Sequence, residues 1–458
     1  MNYPIFEALK AYAQKTHYSF HTPGHKNGHF LPPLTKEAFG KDFFTYDLTE
    51  ITGLDNLLLP SGVIKESQSQ LAHIHQARFA RYLLGGTTQG LLASLMAIAK
   101  NKEIFIPRHA HRSIYHGLIL ANAKPIYLQP TLDSTHHIPL GISPKTLEDA
   151  IKAHPTCKLM LMVHPTYHGI TWENEALAKL AKKNGLTIIV DEAHGAHFSF
   201  SPLTPKSALE YDCDIVIKSY HKTLPCLTQG SVLTCQNQAL ETQIDKSLRL
   251  IATTSPSYPI MASLELASVY MAEYGQGLLQ EGHQTISQFF YPFSLQTLAI
   301  IEEASWQKEP FRLWIKSTTL DGERLKEALE ANHCMVEMAD EGVLLLLPLN
   351  GFKESLDALK ASLEKIDRMS VNLPKRTLAK PFYQTNLPKV AMRLEEAYFR
   401  DSHTIPILKA KGKIASGFIQ AYPPGIPQVI PGEIISQDII NLWQESGNSP
   451  DVLVDVVS

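Results

Sequence analysis

Between Leu71 and about Leu250, short apolar runs alternate with segments whose apolar residues recur at helical spacing, the pattern of parallel strands joined by crossover helices. Three of these runs, 159–163, 187–190 and 215–217, predict parallel strands. Each ends on polar residues: His164-Pro165, Asp191-Glu192, and Ser219 to Lys222. In an open α/β sheet, ligands collect outside the carboxyl ends of the strands, so the three edges are expected to face one crevice. After Tyr258-Pro259, the stretch from 260 to about 303 predicts helix. Strands at 311–316 and 342–349, on either side of a helix over about 321–332, then predict a smaller α+β unit. The expected organisation is an N-terminal segment (1–45), a large α/β domain with a mainly parallel sheet (46–300) and a smaller α+β C-terminal domain (301–458). Near the end, Tyr422-Pro-Pro-Gly-Ile-Pro427 predicts a rigid extended loop.

Composition narrows the function. In 458 residues, 42 Lys and Arg nearly balance 45 Asp and Glu, with no long run of like charge. Nucleic-acid binders and polybasic membrane tethers need concentrated positive charge, so a small-molecule partner is expected, with neither nucleic acid nor membrane. Five widely spaced cysteines have no metal or redox spacing, which fits reduced thiols in a cytoplasm. Residues 1–10 carry no leader pattern, and no apolar stretch approaches the roughly 18 residues that would cross a bilayer.

Three features carry chemistry. Gly85-Gly86-Thr87-Thr88-Gln89-Gly90 lies between a strand end at 81–84 and an apolar helical stretch at 91–99. Glycines that admit close approach, hydroxyls that donate, and a helix N-terminus together suit an anion. The alternative is a tight strand-to-helix turn that needs its glycines for geometry. Asp191, ending a strand run, could hold a metal, act as a base, pair with a protonated ring nitrogen, or cap the following turn. Lys222, after the next strand, would be partly desolvated, which suits a Schiff-base nucleophile, although many such lysines are merely solvated edge residues. A phosphate loop, then a strand-end Asp, then a strand-end Lys is the order that pyridoxal phosphate (PLP) enzymes of the aspartate aminotransferase fold require. The histidine pairs His109/His111, His164/His168 and His194/His197 lack the helical His-Glu-x-x-His arrangement, so no metal is expected.

The chain resembles the short form of the ornithine/lysine/arginine decarboxylase family of fold-type-I PLP enzymes. The resemblance spans about 18 to 433 and is carried by Phe20-His-Thr-Pro-Gly-His-Lys26, Asp47-Leu-Thr-Glu50, Gly62-Val-Ile-Lys-Glu66 and His164-Pro-Thr-Tyr-His-Gly-Ile170. It continues through Val190-Asp-Glu-Ala-His-Gly-Ala-His-Phe198, His221-Lys-Thr-Leu224, Thr253-Thr-Ser-Pro-Ser-Tyr258, the Tyr422 block and Pro431-Gly-Glu433. It implies a PLP-dependent transferase-like large domain, and decarboxylation of arginine, lysine or ornithine to agmatine, cadaverine or putrescine in polyamine biosynthesis. By resemblance Lys222 links the cofactor, Asp191 pairs with its ring nitrogen and His111 stacks on the ring. Thr87, Thr88, Ala193, His194, Ser219 and His221 complete the cofactor set, with Thr254 and Ser255 reaching a neighbouring subunit's cofactor. A cytoplasmic homodimer or higher homo-oligomer, with its site at the interface, is implied.

The chain departs from its relatives at Asp55-Asn56-Leu57-Leu58, which loses an acid and a histidine, and at Gly417, ahead of the Tyr422 block, where an acid is usual. A buried basic side chain needs a carboxylate partner. His25, Glu50, Asp55, Tyr422 and Glu433 are the candidates for holding substrate. Two other readings stay open: an aminotransferase, with Arg393 clamping the α-carboxylate, and a PLP-holding member with altered or lost substrate binding. Tyr220, two positions before the lysine, either narrows the pocket or packs against the loop.

Overall fold

The computed structural model describes all residues except 16–17, 291–294, 304–305, 377–385, 421–424, 446–448 and 450. Tyr422 therefore lies outside the described residues, as do Pro423 and Pro424. Seven strands build the main sheet: β1 (Phe79–Leu83), β2 (Glu103–Pro107), β3 (Lys124–Leu128), β4 (Leu159–Val163), β5 (Thr187–Asp191), β6 (Ile215–Lys218) and β7 (Ser231–Cys235). Their order is β1-β7-β6-β5-β4-β2-β3. Among the helices are α1 (Pro4–Ala13), α2 (Val63–Ile74), α3 (Gly86–Ile98), α4 (Arg112–Ala121), α5 (Tyr220–Thr223), α6 (Glu241–Ile251) and α7 (Tyr258–Phe290).

The chain groups into two compact units, one of residues 1–98, 189–200 and 206–276, the other of 99–188, 201–205 and 277–458. In the first unit β5 and β6 pair in parallel, whereas β7 runs antiparallel to both β6 and β1. Twelve residues, 219–230, connect β6 to β7 and include the single helical turn 220–223, and the chain turns back to pair antiparallel. Since β7 opposes both neighbours, β1 and β6 share a direction, and the carboxyl ends of β1, β5 and β6 lie on one edge. Strands β6 and β7 are buried at every position, as strands covered on both faces are. Helix α1 is pinned by the Glu265 carboxylate, which accepts the Ile5 and Phe6 N–H groups at 3.0 and 2.8 Å.

Helix α3 begins at Gly86, so the glycine-rich segment is its first turn and not a loop preceding a helix at 91. Gly86 has φ of 72°, conformational space that glycine enters freely. At Gly90 a Cβ would sit 2.6 Å from Leu83 Cδ1 and 2.8 Å from Ile217 Cγ2, so the helix lies flush on β1 and β6 only because no side chain intervenes.

In the second unit β2 pairs in parallel with β3 and with β4. A separate four-stranded antiparallel sheet contains β8 (Leu298–Ile300), β9 (Arg312–Ser317), β10 (Met338–Ala339) and β11 (Val343–Leu346), in the order β8-β9-β11-β10. Helices α8 (Gly322–Glu330) and α9 (Lys353–Ser370) belong to the same unit. The helix expected from 260 to about 303 ends earlier: α7 stops at Phe290, and 298–300 pairs with 315–317. A three-residue apolar run carries no periodicity of its own, and its partner strand, distant in sequence, decides its conformation.

Gly90→Val should overpack this contact and cost about 1–3 kcal/mol, read as a lower urea midpoint with unchanged slope.

Candidate active site

The carboxyl edge shared by β1, β5 and β6 gathers the chemistry-bearing residues of the first unit. Asp191 ends β5 and is buried; its Oδ1 accepts the Ala193 N–H at 3.1 Å. Burial raises its pKa, opposed by the positive charge of Lys222 and by that one N–H. Lys222 sits in the single turn of α5, directly after β6, and its Nζ donates to His194 Nε2 at 3.0 Å. His221 on the same turn gives its Nδ1–H to the Gly230 carbonyl at 3.0 Å. Burial lowers the His221 pKa, opposed by the Gly230 carbonyl, while Lys222 pushes it down further, so the ring is held neutral.

Three hydroxyls cluster at the start of α3. Thr87 Oγ1 hydrogen-bonds Ser219 Oγ and lies 3.4 Å from Ser231 Oγ, and all three residues are buried. Thr88, on the same first turn, is exposed, whereas Ala193 and His194 are buried beyond the end of β5. Ser231 was missed from sequence; its only signal is its place as the first residue of β7, beside the end of β6. Thr254 and Ser255 are exposed on the turn between α6 and α7 and do not join this cluster within their own chain.

His111 belongs to the second unit, where it caps α4: its Nδ1 accepts the Ser113 N–H at 3.2 Å and the Ser113 hydroxyl at 2.8 Å. His164 is fully buried there, its Nδ1 accepting from Asn174 at 2.9 Å. Arg393 is largely exposed and paired with Glu395 at 2.7 Å.

The candidate substrate residues have varied surroundings. His25 Nδ1 accepts the Gly28 N–H, leaving Nε2–H for Asp47 at 3.2 Å. Glu50 accepts from the Thr49 hydroxyl at 2.8 Å. Asp55 is a helix cap: its carboxylate accepts the N–H groups of Asn56, Ser61, Gly62, Ile64 and Lys65. Burial raises its pKa, but the Ser61, Gly62, Asn56 and Lys65 amides outweigh it and hold the carboxyl below the usual range. Glu433 is buried against Arg108 at 2.8 Å and accepts the Ile430 N–H. Burial lowers the Arg108 pKa, but Glu433 more than compensates and the guanidinium stays charged. Among the described residues no group of three or more His, Cys, Asp or Glu could hold a metal ion, and no helix is long and apolar enough to cross a membrane.

A family model described as Orn/Lys/Arg decarboxylase, major domain, matches residues 3–348. The chain belongs to that family. The model of the family's C-terminal domain matches residues 376–445. Among curated relatives, the protein YaaO of Bacillus subtilis is 33% identical over 96% of this chain and 93% of its own length. An arginine decarboxylase of the same organism is 30% identical, over 96% and 92%. Of solved structures, lysine decarboxylase A from Pseudomonas aeruginosa superposes with a TM-score of 0.84 at 19% identity, covering 99% of this chain and 80% of that one. Serine palmitoyltransferase of Sphingomonas wittichii superposes at 0.57 with 16% identity, over 82% of this chain and 86% of that one, and a serine palmitoyltransferase from S. paucimobilis with bound PLP superposes at 0.55. The large domain thus has the fold-type-I architecture, and decarboxylation of basic amino acids with PLP is the family's chemistry.

Asp55→Ala should strip the start of α2 of its cap and cost about 1–2 kcal/mol. Because the folded-state pKa is depressed, the stabilisation from Asp55 is present above its unfolded pKa and lost as pH falls through the folded value. Melting curves against pH should therefore converge for the native and Asp55→Ala proteins in acid.

Proposed function

We propose that this chain decarboxylates a basic amino acid, with arginine the first substrate to test, using PLP held at the shared carboxyl edge of β1, β5 and β6. The observation that carries the reading is the buried Asp191 carboxylate at the end of β5, within electrostatic reach of Lys222 after β6, with the Thr87, Ser219 and Ser231 hydroxyls at the start of α3. These residues fit the cofactor. Asp191 is a desolvated carboxylate with a single N–H donor, suited to a protonated ring nitrogen. The three hydroxyls, at the N-terminal end of α3 where first-turn N–H groups have no partner within the helix, suit a phosphate. Lys222 supplies the amine that holds the aldehyde, and His194 orients that amine.

When bound, the cofactor supplies the electron sink for the pair released as carbon dioxide departs. Asp191 keeps positive charge on the ring, and Lys222 or His194 delivers the proton that the product carbon takes up. The roles of His111 on the ring, and of Thr254 and Ser255 toward a second subunit, rest on the resemblance and imply a homodimer; a cytoplasmic location rests on the cysteine pattern. The division at about residue 300 belongs to the same proposal, supported by the four-stranded sheet that starts at Leu298. Arginine takes precedence because the relatives named arginine decarboxylase reach 30% identity and the one named lysine decarboxylase LdcA 23%. The structural commitments of Asp55 and Glu433 favour a second reading, in which the substrate departs from the family's usual set.

Purified protein given PLP should turn yellow, and arginine, lysine and ornithine supplied in turn should yield amine with stoichiometric carbon dioxide from one of them. A 2-keto acid without carbon dioxide would establish the aminotransferase instead, and normal colour without turnover would favour the altered substrate. Lys222→Ala should abolish the visible absorbance, and Asp191→Asn should lower kcat by about a hundredfold or more. Sedimentation should give a dimer; a monomer that binds PLP at full stoichiometry would overturn the cross-subunit contact.

A further inference from the structure

Behind the residues just described lies a chain of buried polar groups that the mechanism does not use. Lys218, the last residue of β6, is fully buried. Its ammonium has three N–H donors and meets three acceptors: Ser199 Oγ at 2.8 Å, His75 Nδ1 at 3.2 Å and Glu192 Oε1 at 3.3 Å. An ammonium only donates, so His75 Nδ1 is the acceptor and the ring hydrogen is assigned to Nε2. That N–H donates to the Tyr220 hydroxyl at 2.5 Å. At the other end, Glu192 accepts the Ser207 hydroxyl at 2.9 Å and the Ala208 N–H at 2.6 Å. Phe200 closes the side of the His75 ring, with centroids 5.6 Å apart.

The cost of this arrangement is the clue to its role. Desolvating an ion pair offsets most of its attraction, and replacing Glu192 and Lys218 together by apolar residues would serve stability as well or better. Burial indeed pulls the Lys218 pKa down against Glu192 and drives His75 well below its ordinary value, which holds the imidazole neutral. The members interleave with the candidate site along the chain: Glu192 follows Asp191, Lys218 precedes Ser219, and Tyr220 stands between Ser219 and His221. His75, at the end of α2, ties the other end of the chain to a separate helix.

We propose that Glu192, Lys218, His75 and Tyr220 are positioning residues: one buried network that fixes the 219–222 segment and the end of β5, so that Ser219, Lys222 and Asp191 are preorganised for the cofactor. This rests on the functional reading above. A loose support of this kind leaves a site present but misplaced, which weakens binding without abolishing the fold.

The test uses Tyr220→Phe, Lys218→Met and the double variant Glu192→Gln/Lys218→Met, which removes both charges together. Two readouts are needed: the PLP dissociation constant, and the rate at which trinitrobenzenesulfonate labels Lys222 in cofactor-free protein, located by peptide mapping. Each variant should raise the dissociation constant by about tenfold or more and change the Lys222 labelling rate. The double variant should regain the melting temperature lost by Lys218→Met, because no charge is left unpaired, while its PLP affinity stays low. Recovery of affinity together with melting temperature, or folded variants with unchanged affinity and labelling, would overturn the proposal. Failure of the functional reading would show separately, as native protein that takes up no PLP, and the labelling rates would still decide the network.

Discussion

Because β7 runs against both of its neighbours, β1 and β6 point the same way, and with β5 beside β6 three strands end on one edge. Asp191, Lys222 and the first turn of α3 lie hundreds of atoms apart along the chain, yet the common direction brings them to one line. That direction depends on the return through 219–230, and the placing of α3 depends on Gly90. Any side chain at 90 would lift the start of α3, with Thr87, from the ends of β1 and β6. Sheet connectivity and one missing methyl group thus precede every electrostatic feature of the site.

Electrostatics then works by withholding water. Asp191 and His221 both have their charged forms disfavoured by burial, and in each case few hydrogen bonds offset it. Asp55, in the same unit, shows the opposite balance: less deeply desolvated, it collects backbone N–H groups and its pKa falls. The number of donors aimed at a carboxylate thus separates a cap, whose needs are met by the fold, from a group left ready for an external partner. Glu433 falls with the caps, since Arg108 and the Ile430 N–H already satisfy it.

Much of this was legible in the sequence. The strands at 159–163, 187–191 and 215–218 announce themselves through the apolar runs 159–163, 187–190 and 215–217, and Asp191 and Ser219 to Lys222 stand at the ends of two of them in the structure. Local periodicity failed where conformation is set from afar: Leu298–Ile300 is a strand because of its pairing with β9, and the glycines at 85 and 86 belong to a helix start because α3 packs back on β6. The buried network was illegible for the same reason. His75 lies 143 residues before Lys218, and no spacing rule joins a histidine at a helix end to a lysine at a strand end. Tyr220 was ambiguous between pocket and packing, and its complete burial against His75 places it in the packing.

The substrate cation poses the remaining physical demand. A guanidinium or ammonium taken out of water requires a carboxylate whose own needs are not already met, since a shared carboxylate repays little of the desolvation. Of the acids singled out from sequence, Asp55 is saturated by backbone amides and Glu433 is neutralised by Arg108. Glu50 differs from both: its hydrogen bond comes from the neighbouring Thr49 hydroxyl, a neutral donor, and it retains partial exposure. Under the proposed function, Glu50 is the acid of that set with the fewest commitments to the fold. On the same reading, discrimination among basic amino acids would follow from reach, because the cationic groups of ornithine, lysine and arginine stand at different distances from the α-carbon.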